Sequence, residues 1–127
     1  MTDAPRFIHL RLHSEYSLLE GAVRLKTLPG LIAGMGMPAV ALTDSDNMFG
    51  ALEFATGAAA AGVQPIMGAQ VSLAYEEAAP GETPPDPAPV VLLALAEAGY
   101  GHLMKLQSCL YLRGDHALPH VTLDELA

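Results

Sequence analysis

Residues 9–17 read HLRLHSEYS, and this stretch limits the folds that the rest of the chain can adopt. Its alternation of apolar and polar residues predicts a first β-strand from Phe7 to Leu12. Residues two apart in a strand project from the same face, so His9, Arg11 and His13 are expected to point together. Two imidazoles beside a guanidinium suggest a metal site in which one ligand has been exchanged.

The bulk composition indicates a small globular domain. A length of 127 residues corresponds to one domain or part of one. Hydrophobic residues make up 51%, much of it alanine, and no run approaches the roughly 20 apolar residues that span a bilayer. The first residues lack the pattern of a signal peptide, and Cys109 has no second cysteine to pair with. A cytoplasmic location without membrane contact is therefore expected.

The charge balance argues against tight nucleic-acid binding by this segment. The formal net charge is −8, and the six lysines and arginines are spread singly along the chain. Phosphate binding through counterion release needs clustered cations. We therefore expect no direct contact between this segment and DNA or RNA.

The spacing of apolar residues predicts alternating strands and helices. A helix is expected from Leu25 to about Gly34, with a kink or a late start caused by Pro29. The short apolar run at 38–43 is typical of a strand buried on both faces, as in a parallel sheet. The further expectations are a helix at 49–61, a strand at 65–73, a strand at 90–95 and a helix at 99–111. Strands that alternate with helices predict an α/β fold of parallel βαβ units.

Two segments carry no core pattern. Residues 75–89 are acidic and rich in proline, which favours an extended surface loop. Residues 113–127 show little periodicity and are expected to form an irregular tail.

Polar residues cluster where the predicted strands end. His13 and Glu20 follow the first strand, Asp44 ends the second, and Gln70 lies in the third. In parallel α/β folds functional groups gather at the carboxyl ends of strands. Imidazoles and carboxylates meeting at one rim would suit a divalent metal.

Several long motifs resemble the PHP (polymerase and histidinol phosphatase) family, in the form that begins bacterial DNA polymerase III alpha subunits. They are HLRLHSEYSLLEG, GMPAVALTDSDNMFGALEF and AGVQPIMGAQV, followed by LLALAEAGYGHLMKL, SCLYLRG and PHVTLDEL. The resemblance implies the N-terminal half of a distorted PHP-type (βα)7 barrel with parallel strands, residues 1–127 being a partial, truncated PHP domain. It also implies a parent chain that is a DNA-directed DNA polymerase, a nucleotidyltransferase of DNA replication, whose Mg²⁺ site lies outside this segment.

The chain departs from the ligand pattern that the resemblance implies. Of the expected first-half metal ligands only His13 and Glu20 remain. Four positions have changed: Arg11, Ser45, Gln70 and Pro89 stand where the family carries histidine, histidine, glutamate and histidine. The expected site is therefore vestigial, with no bound metal and no catalytic residue.

Arg11 is the most consequential of these changes. A guanidinium stays protonated at ordinary pH and has no lone pair to give to a metal. We hypothesise that Arg11 forms an internal salt bridge with Glu20 and Asp44 and so replaces the metal electrostatically. Asp44 has an alternative role, since an aspartate can also cap the loop that precedes the second helix.

Three functions remain open at this point. The first is a structural module of the polymerase chain that also docks the proofreading exonuclease subunit of the replicase, both partners being implied by the resemblance. The second is a metal-dependent phosphoesterase or 3′–5′ exonuclease using Zn²⁺ or Mn²⁺, and the third is an unrelated βα protein. An unfinished barrel edge would also favour self-association of the truncated chain.

Overall fold

The structure, a computed structural model, describes residues 6–113 and 118–127. The predicted alternation of helices and strands is confirmed. The elements in chain order are α1 Leu28–Gly34, β1 Ala39–Leu42, α2 Ala51–Ala60, β2 Gln64–Ala74, β3 Ala88–Leu93, α3 Glu97–Leu112, β4 Val121–Thr122 and α4 Leu123–Leu126. None of the helices in these described ranges is long and apolar enough to cross a membrane.

The sheet mixes parallel and antiparallel strands. Its order is β1-β2-β3, with β4 beside β2, and both β1 and β4 run parallel to β2. β3 is antiparallel to β2, so the prediction of parallel strands throughout is wrong for this strand. A parallel return needs a crossover, usually a helix, whereas the proline-rich connection at 75–87 contains none. The chain therefore turns back beside β2 as a long hairpin.

Residues 7–12 do not form the regular strand that their alternation predicts. The Ala41 N–H donates to the His9 carbonyl at 2.9 Å, and the Thr43 N–H donates to the Leu12 carbonyl at 2.9 Å. From the first of these hydrogen bonds to the second, the donor moves two residues along the chain, whereas the acceptor moves three. The first segment therefore carries one extra residue in this pairing, as in a bulge. Because the alternation of faces is lost there, His9 does not join the other polar side chains. Its ring instead meets the ring of Phe7 edge-on, at a centroid distance of 4.8 Å.

The main core lies between the two first helices and β1. Phe54 of α2 is fully buried among Leu25, Leu28 and Val40. Pro29 lies in the first turn of α1, where its missing N–H costs nothing, and the expected late helix start is confirmed. A second cluster, formed by Val71, Leu106, Leu110 and Val121, joins β2 to α3 and β4. Together these cores hold the carboxyl ends of β1 and β2 in place.

The chain after α3 is more ordered than its sequence predicts. Residues 121–126, expected to belong to an irregular tail, form β4 and the short helix α4, while residues 114–117 lie outside the described ranges. Thr122 and Glu125 cap each other reciprocally, and Arg113 contacts the Glu125 carboxylate at 2.7 Å. The backbone N–H of Thr122 and the Arg113 guanidinium lower the pKa of Glu125. The T-x-x-E spacing at 122–125 is the signal that identifies this cap in the sequence.

Candidate functional site

Asp44 follows β1 and anchors the loop that carries the site. Its side chain is buried, and its carboxylate accepts hydrogen bonds from the Ser14 N–H at 2.6 Å, the Ser14 hydroxyl at 2.8 Å and the Ser17 hydroxyl at 2.7 Å. The side chain therefore neither caps the loop before the second helix nor forms a salt bridge with Arg11, and both predicted roles are corrected. Asp44 instead fixes the turn at 14–17.

A close backbone approach completes this loop. The Glu15 N–H donates to the Val23 carbonyl at 2.9 Å. Gly21 packs so tightly against the Ser14 carbonyl that a Cβ at this position would overlap it. Gly21 is therefore required by lack of space. The arrangement holds the neighbouring Glu20 beside the ends of the strands.

Gln70 of β2 forms the centre of the site. The Gln70 N–H donates to the Asp44 carbonyl at 3.0 Å, and the Asp46 N–H donates to the Gln70 carbonyl at 2.9 Å, which extends the parallel pairing beyond β1. The Gln70 Oε1 atom accepts a hydrogen bond from Arg11 Nε at 2.9 Å and lies 3.1 Å from His13 Nε2. One amide oxygen thus joins the two basic side chains of the first segment.

Glu20 joins the same group of side chains from its other side. Its Oε2 atom accepts a hydrogen bond from the Ser45 hydroxyl at 2.6 Å and lies 3.3 Å from His13 Nδ1. Five of the six predicted positions therefore form one connected set, called here the rim network: Arg11, His13, Glu20, Ser45 and Gln70. An open groove of about 370 Å³ runs beside Arg11, His13 and Glu20.

Pro89 is the predicted position that the structure does not bring into contact with the rim network. It lies within β3, opposite Ser72, while Val91 lies opposite Gln70. Residues directly opposite each other share a face of the sheet, and the Ser72–Pro89 pair lies two pairs along from the Gln70–Val91 pair, on the same face. The hairpin thus places Pro89 on the correct face but at a distance.

The hypothesised salt bridge of Arg11 with Glu20 and Asp44 is not formed. Over residues 6–113 and 118–127, the ion pairs within 4.0 Å join His13 to Glu20 and Arg113 to Glu125. The Arg11 side chain is exposed and bonds to the neutral Gln70 amide. Glu20 is satisfied by Ser45 and His13, and Asp44 by two serines, so neither carboxylate needs Arg11.

The residues of the rim network do not fit a metal ion. Zinc sites supply three or four nitrogen, oxygen or sulfur donors at about 2.0–2.3 Å. Within the described part of the chain, no group of three or more His, Cys, Asp or Glu side chains is placed to hold a metal. Both ring nitrogens of His13 face oxygens, those of Gln70 and Glu20. The contacts are those of a closed polar network.

Asp46 is a rim residue that sequence reasoning missed. Its backbone has a positive φ of 57°, and its carbonyl accepts a hydrogen bond from the Tyr111 hydroxyl of α3. Its Oδ1 atom is buried and has no hydrogen-bond partner among the described residues. Burial, with the nearby Glu20 charge, raises the pKa of the Asp46 carboxyl. The dipeptide Asp46-Asn47 suggests a left-handed turn residue, which is the one available signal.

Asp46→Asn is expected to stabilise the chain at neutral pH and to leave its stability unchanged in acid. A carboxyl whose folded pKa is raised contributes stability below its ordinary value, near 3.8, and loses it as pH rises through the folded pKa. Asparagine removes this loss and also tolerates a positive φ. Urea unfolding at pH 7 and at pH 3 would measure both effects. An equal change at the two pH values would contradict the assignment.

The mixed α/β fold and the rim network can now be compared with known protein families. The pattern of the PHP domain family matches residues 9–127, and the chain belongs to that family. The proteins it resembles in particular are DNA polymerase III alpha subunits. Identity is 46% over 103 residues with that of Pseudomonas aeruginosa, 43% over 114 residues with that of Vibrio cholerae and 36% over 121 residues with that of Helicobacter pylori strain J99.

Each match covers most of this chain but only a small part of the relative. They span 80%, 90% and 95% of this chain but 8%, 9% and 10% of the three relatives, so the chain spans about a tenth of their length. A solved amidohydrolase structure from Chromobacterium violaceum, described as having bound SO4 and no metal, has a TM-score of 0.55 and 25% identity. The alignment covers 80% of this chain and 34% of the amidohydrolase chain. It supports a mixed α/β fold compatible with a PHP domain.

Proposed function

We propose that this chain is the N-terminal PHP region of a replicative DNA polymerase III alpha subunit. In this role it braces the polymerase and docks the proofreading exonuclease subunit without performing chemistry itself. The observation that carries the proposal is the match of 80–95% of the chain to three alpha subunits. Nucleotidyl transfer, with its Mg²⁺, belongs to another part of the parent polypeptide. Sequencing the reading frame past residue 127 tests the assignment, and a stop codon there would contradict it.

The metal-free state of the rim is supported by the partners of Arg11 and His13. The guanidinium Nε shares the Gln70 oxygen with His13, so a permanent positive charge lies beside the remaining imidazole. A cation placed among these side chains would be repelled by Arg11. The purified polypeptide is therefore expected to carry substoichiometric zinc and manganese after dialysis. Elemental analysis by mass spectrometry checks this, and one tightly held equivalent of either metal would overturn the metal-free proposal.

The docking role has its own experiment. Immobilised exonuclease subunit is expected to capture the complete alpha polypeptide and to lose most of this capture when the PHP region is deleted. The matched control carries Glu76→Gln and Glu77→Gln in the exposed loop at 75–87. These substitutions are expected to leave the domain fold intact. Equal capture with and without the PHP region would show that the exonuclease docks elsewhere.

A metal-dependent phosphoesterase is the second candidate. It is favoured by the surviving contact between His13 Nδ1 and Glu20 at 3.3 Å and by the likeness to an amidohydrolase structure. This candidate expects hydrolysis of a nitrophenyl phosphodiester in Zn²⁺ or Mn²⁺, and loss of that activity in His13→Ala. The structural proposal expects no hydrolysis above the His13→Ala background.

The isolated chain is expected to self-associate through β3. This strand ends the order β1-β2-β3, so one of its edges has no neighbouring strand among the described residues. Open edges offer free N–H and C=O groups to a second chain. Sedimentation velocity is expected to show a mass that grows with concentration, and Val91→Pro at this edge should reduce it. A monomer at every concentration would contradict the prediction.

A further inference from the structure

Two leucines stand at the tip of the turn at 17–20, beside the rim network. Leu18 is 82% exposed and Leu19 is fully exposed. Neither side chain belongs to the two hydrophobic clusters found among the described residues. An apolar side chain that packs against nothing in its own domain gains no stability from burial. This pair of residues is called here the leucine tip.

The backbone of the leucine tip is held in an unfavourable conformation. The Glu20 N–H donates to the Ser17 carbonyl at 3.1 Å, so Leu18 and Leu19 are the central residues of a four-residue turn. Leu19 has a φ of 67°, which favours glycine or asparagine at this position of a turn. A leucine there costs free energy, and its exposed side chain returns none. Backbone strain of this kind is concentrated at functional sites.

Buried polar contacts fix the base of the leucine tip. Ser17 is buried, and its hydroxyl donates to the Asp44 carboxylate at 2.7 Å and accepts from the Ser45 N–H at 3.0 Å. The Gly21 N–H donates to the Ser17 carbonyl at 2.9 Å. The two leucines thus project from a fixed support. A partner that binds them therefore loses little free energy in ordering the loop.

The charges around the leucine tip indicate the kind of surface that fits it. Exposed Glu15 and Glu20 flank the two leucines in the chain. Glu15 forms no ion pair within 4.0 Å among the described residues, and the ion pair of Glu20 is with His13. Carboxylates at the edge of a contact favour a partner that carries lysine or arginine there. Two projecting leucines also require a concave apolar surface, since shape complementarity excludes water from a contact.

We infer that the leucine tip is the anchor through which the proofreading exonuclease subunit binds this domain, using an apolar pocket edged by lysine or arginine. The inference rests on the proposed function, which makes that subunit a partner of this region. Burial of both leucines supplies the apolar centre of the contact, and the flanking carboxylates form its polar edge. The strained turn is maintained because it presents both side chains to the pocket.

Leu19→Asn in the complete alpha polypeptide separates a binding role from a structural one. Asparagine tolerates a positive φ, so hydrogen exchange across residues 14–21 should slow or stay unchanged. Capture by immobilised exonuclease subunit should weaken about tenfold or more, because a leucine buried in the contact is lost. The matched control is Leu95→Asn, at a leucine that is 98% exposed before α3, and it should leave capture unchanged. Accelerated exchange or undiminished capture in Leu19→Asn would overturn the inference.

A photo-crosslinking residue in place of Leu18 identifies what covers the leucine tip. The expected product joins the alpha polypeptide to the exonuclease subunit. A crosslink to another segment of the alpha polypeptide, a crosslink to a second copy, or no crosslink in the captured complex would each contradict the assignment. Capture that survives deletion of the PHP region would count against the proposed docking role. Capture that is lost on this deletion but kept in Leu19→Asn would count against the leucine tip alone.

Discussion

Asp44→Ala is expected to destabilise the chain by about 3–5 kcal/mol, because it leaves three buried donors without an acceptor. These donors are the Ser14 N–H, the Ser14 hydroxyl and the Ser17 hydroxyl, all within 2.8 Å of the carboxylate. Hydrogen bonds to a buried charged group contribute more than neutral ones. Urea denaturation followed by circular dichroism would measure the loss as a lower midpoint.

Two controls separate this effect from a general loss of stability caused by any substitution at the rim. Ser45→Ala removes the 2.6 Å hydrogen bond to the exposed Glu20 and is expected to cost less than about 1 kcal/mol. Asp44→Asn keeps the volume but turns an NH₂ group toward at least one donor, so it should retain only part of the stability. A cost below about 1 kcal/mol for Asp44→Ala would show that the serine contacts do not organise the loop.

The importance of Asp44 could be predicted from the sequence, but its partners could not. Its position after the apolar run at 38–43 placed it at the end of a strand, and the structure confirms that strand as β1. Ser14 and Ser17 lie 27–30 residues away, and their contact depends on a turn that Gly21 permits through close packing. No local periodicity encodes such a contact. The sequence therefore suggests only a cap of the following loop or a salt bridge to Arg11 as roles for this carboxylate.

The direction of β3 and the bulge at 7–12 were missed for a related reason. An apolar run predicts a buried strand but not the direction of its neighbour, which here follows from a connection without a helix. The alternation at 9–13 likewise predicts an extended segment but not the extra residue in its pairing with β1. The rim network was still largely predictable. Four of its members lie at or beyond the ends of the predicted first and second strands and Gln70 lies within β2, and their placement depends on topology more than on local detail.

Arg11→His, Ser45→His and Gln70→Glu together are expected to create a zinc or manganese site. Two of these side chains already contact a remaining candidate ligand, since Gln70 lies 3.1 Å from His13 and Ser45 lies 2.6 Å from Glu20, and Arg11 lies 2.9 Å from Gln70. The triple variant therefore gathers five nitrogen and oxygen donors and removes the permanent charge. We expect one bound equivalent and at least about a hundredfold gain in affinity over the unsubstituted chain, measured by isothermal titration and elemental analysis.

The double variant that keeps Arg11 isolates the role of the guanidinium. With Ser45→His and Gln70→Glu alone, the arginine would face a carboxylate 2.9 Å away, in place of the amide oxygen it now contacts. A charge-assisted bond would then compete with the metal for that carboxylate. The double variant should therefore bind much more weakly than the triple variant, although it differs by a single side chain. Equal binding by the two would mean that Arg11 does not oppose the metal.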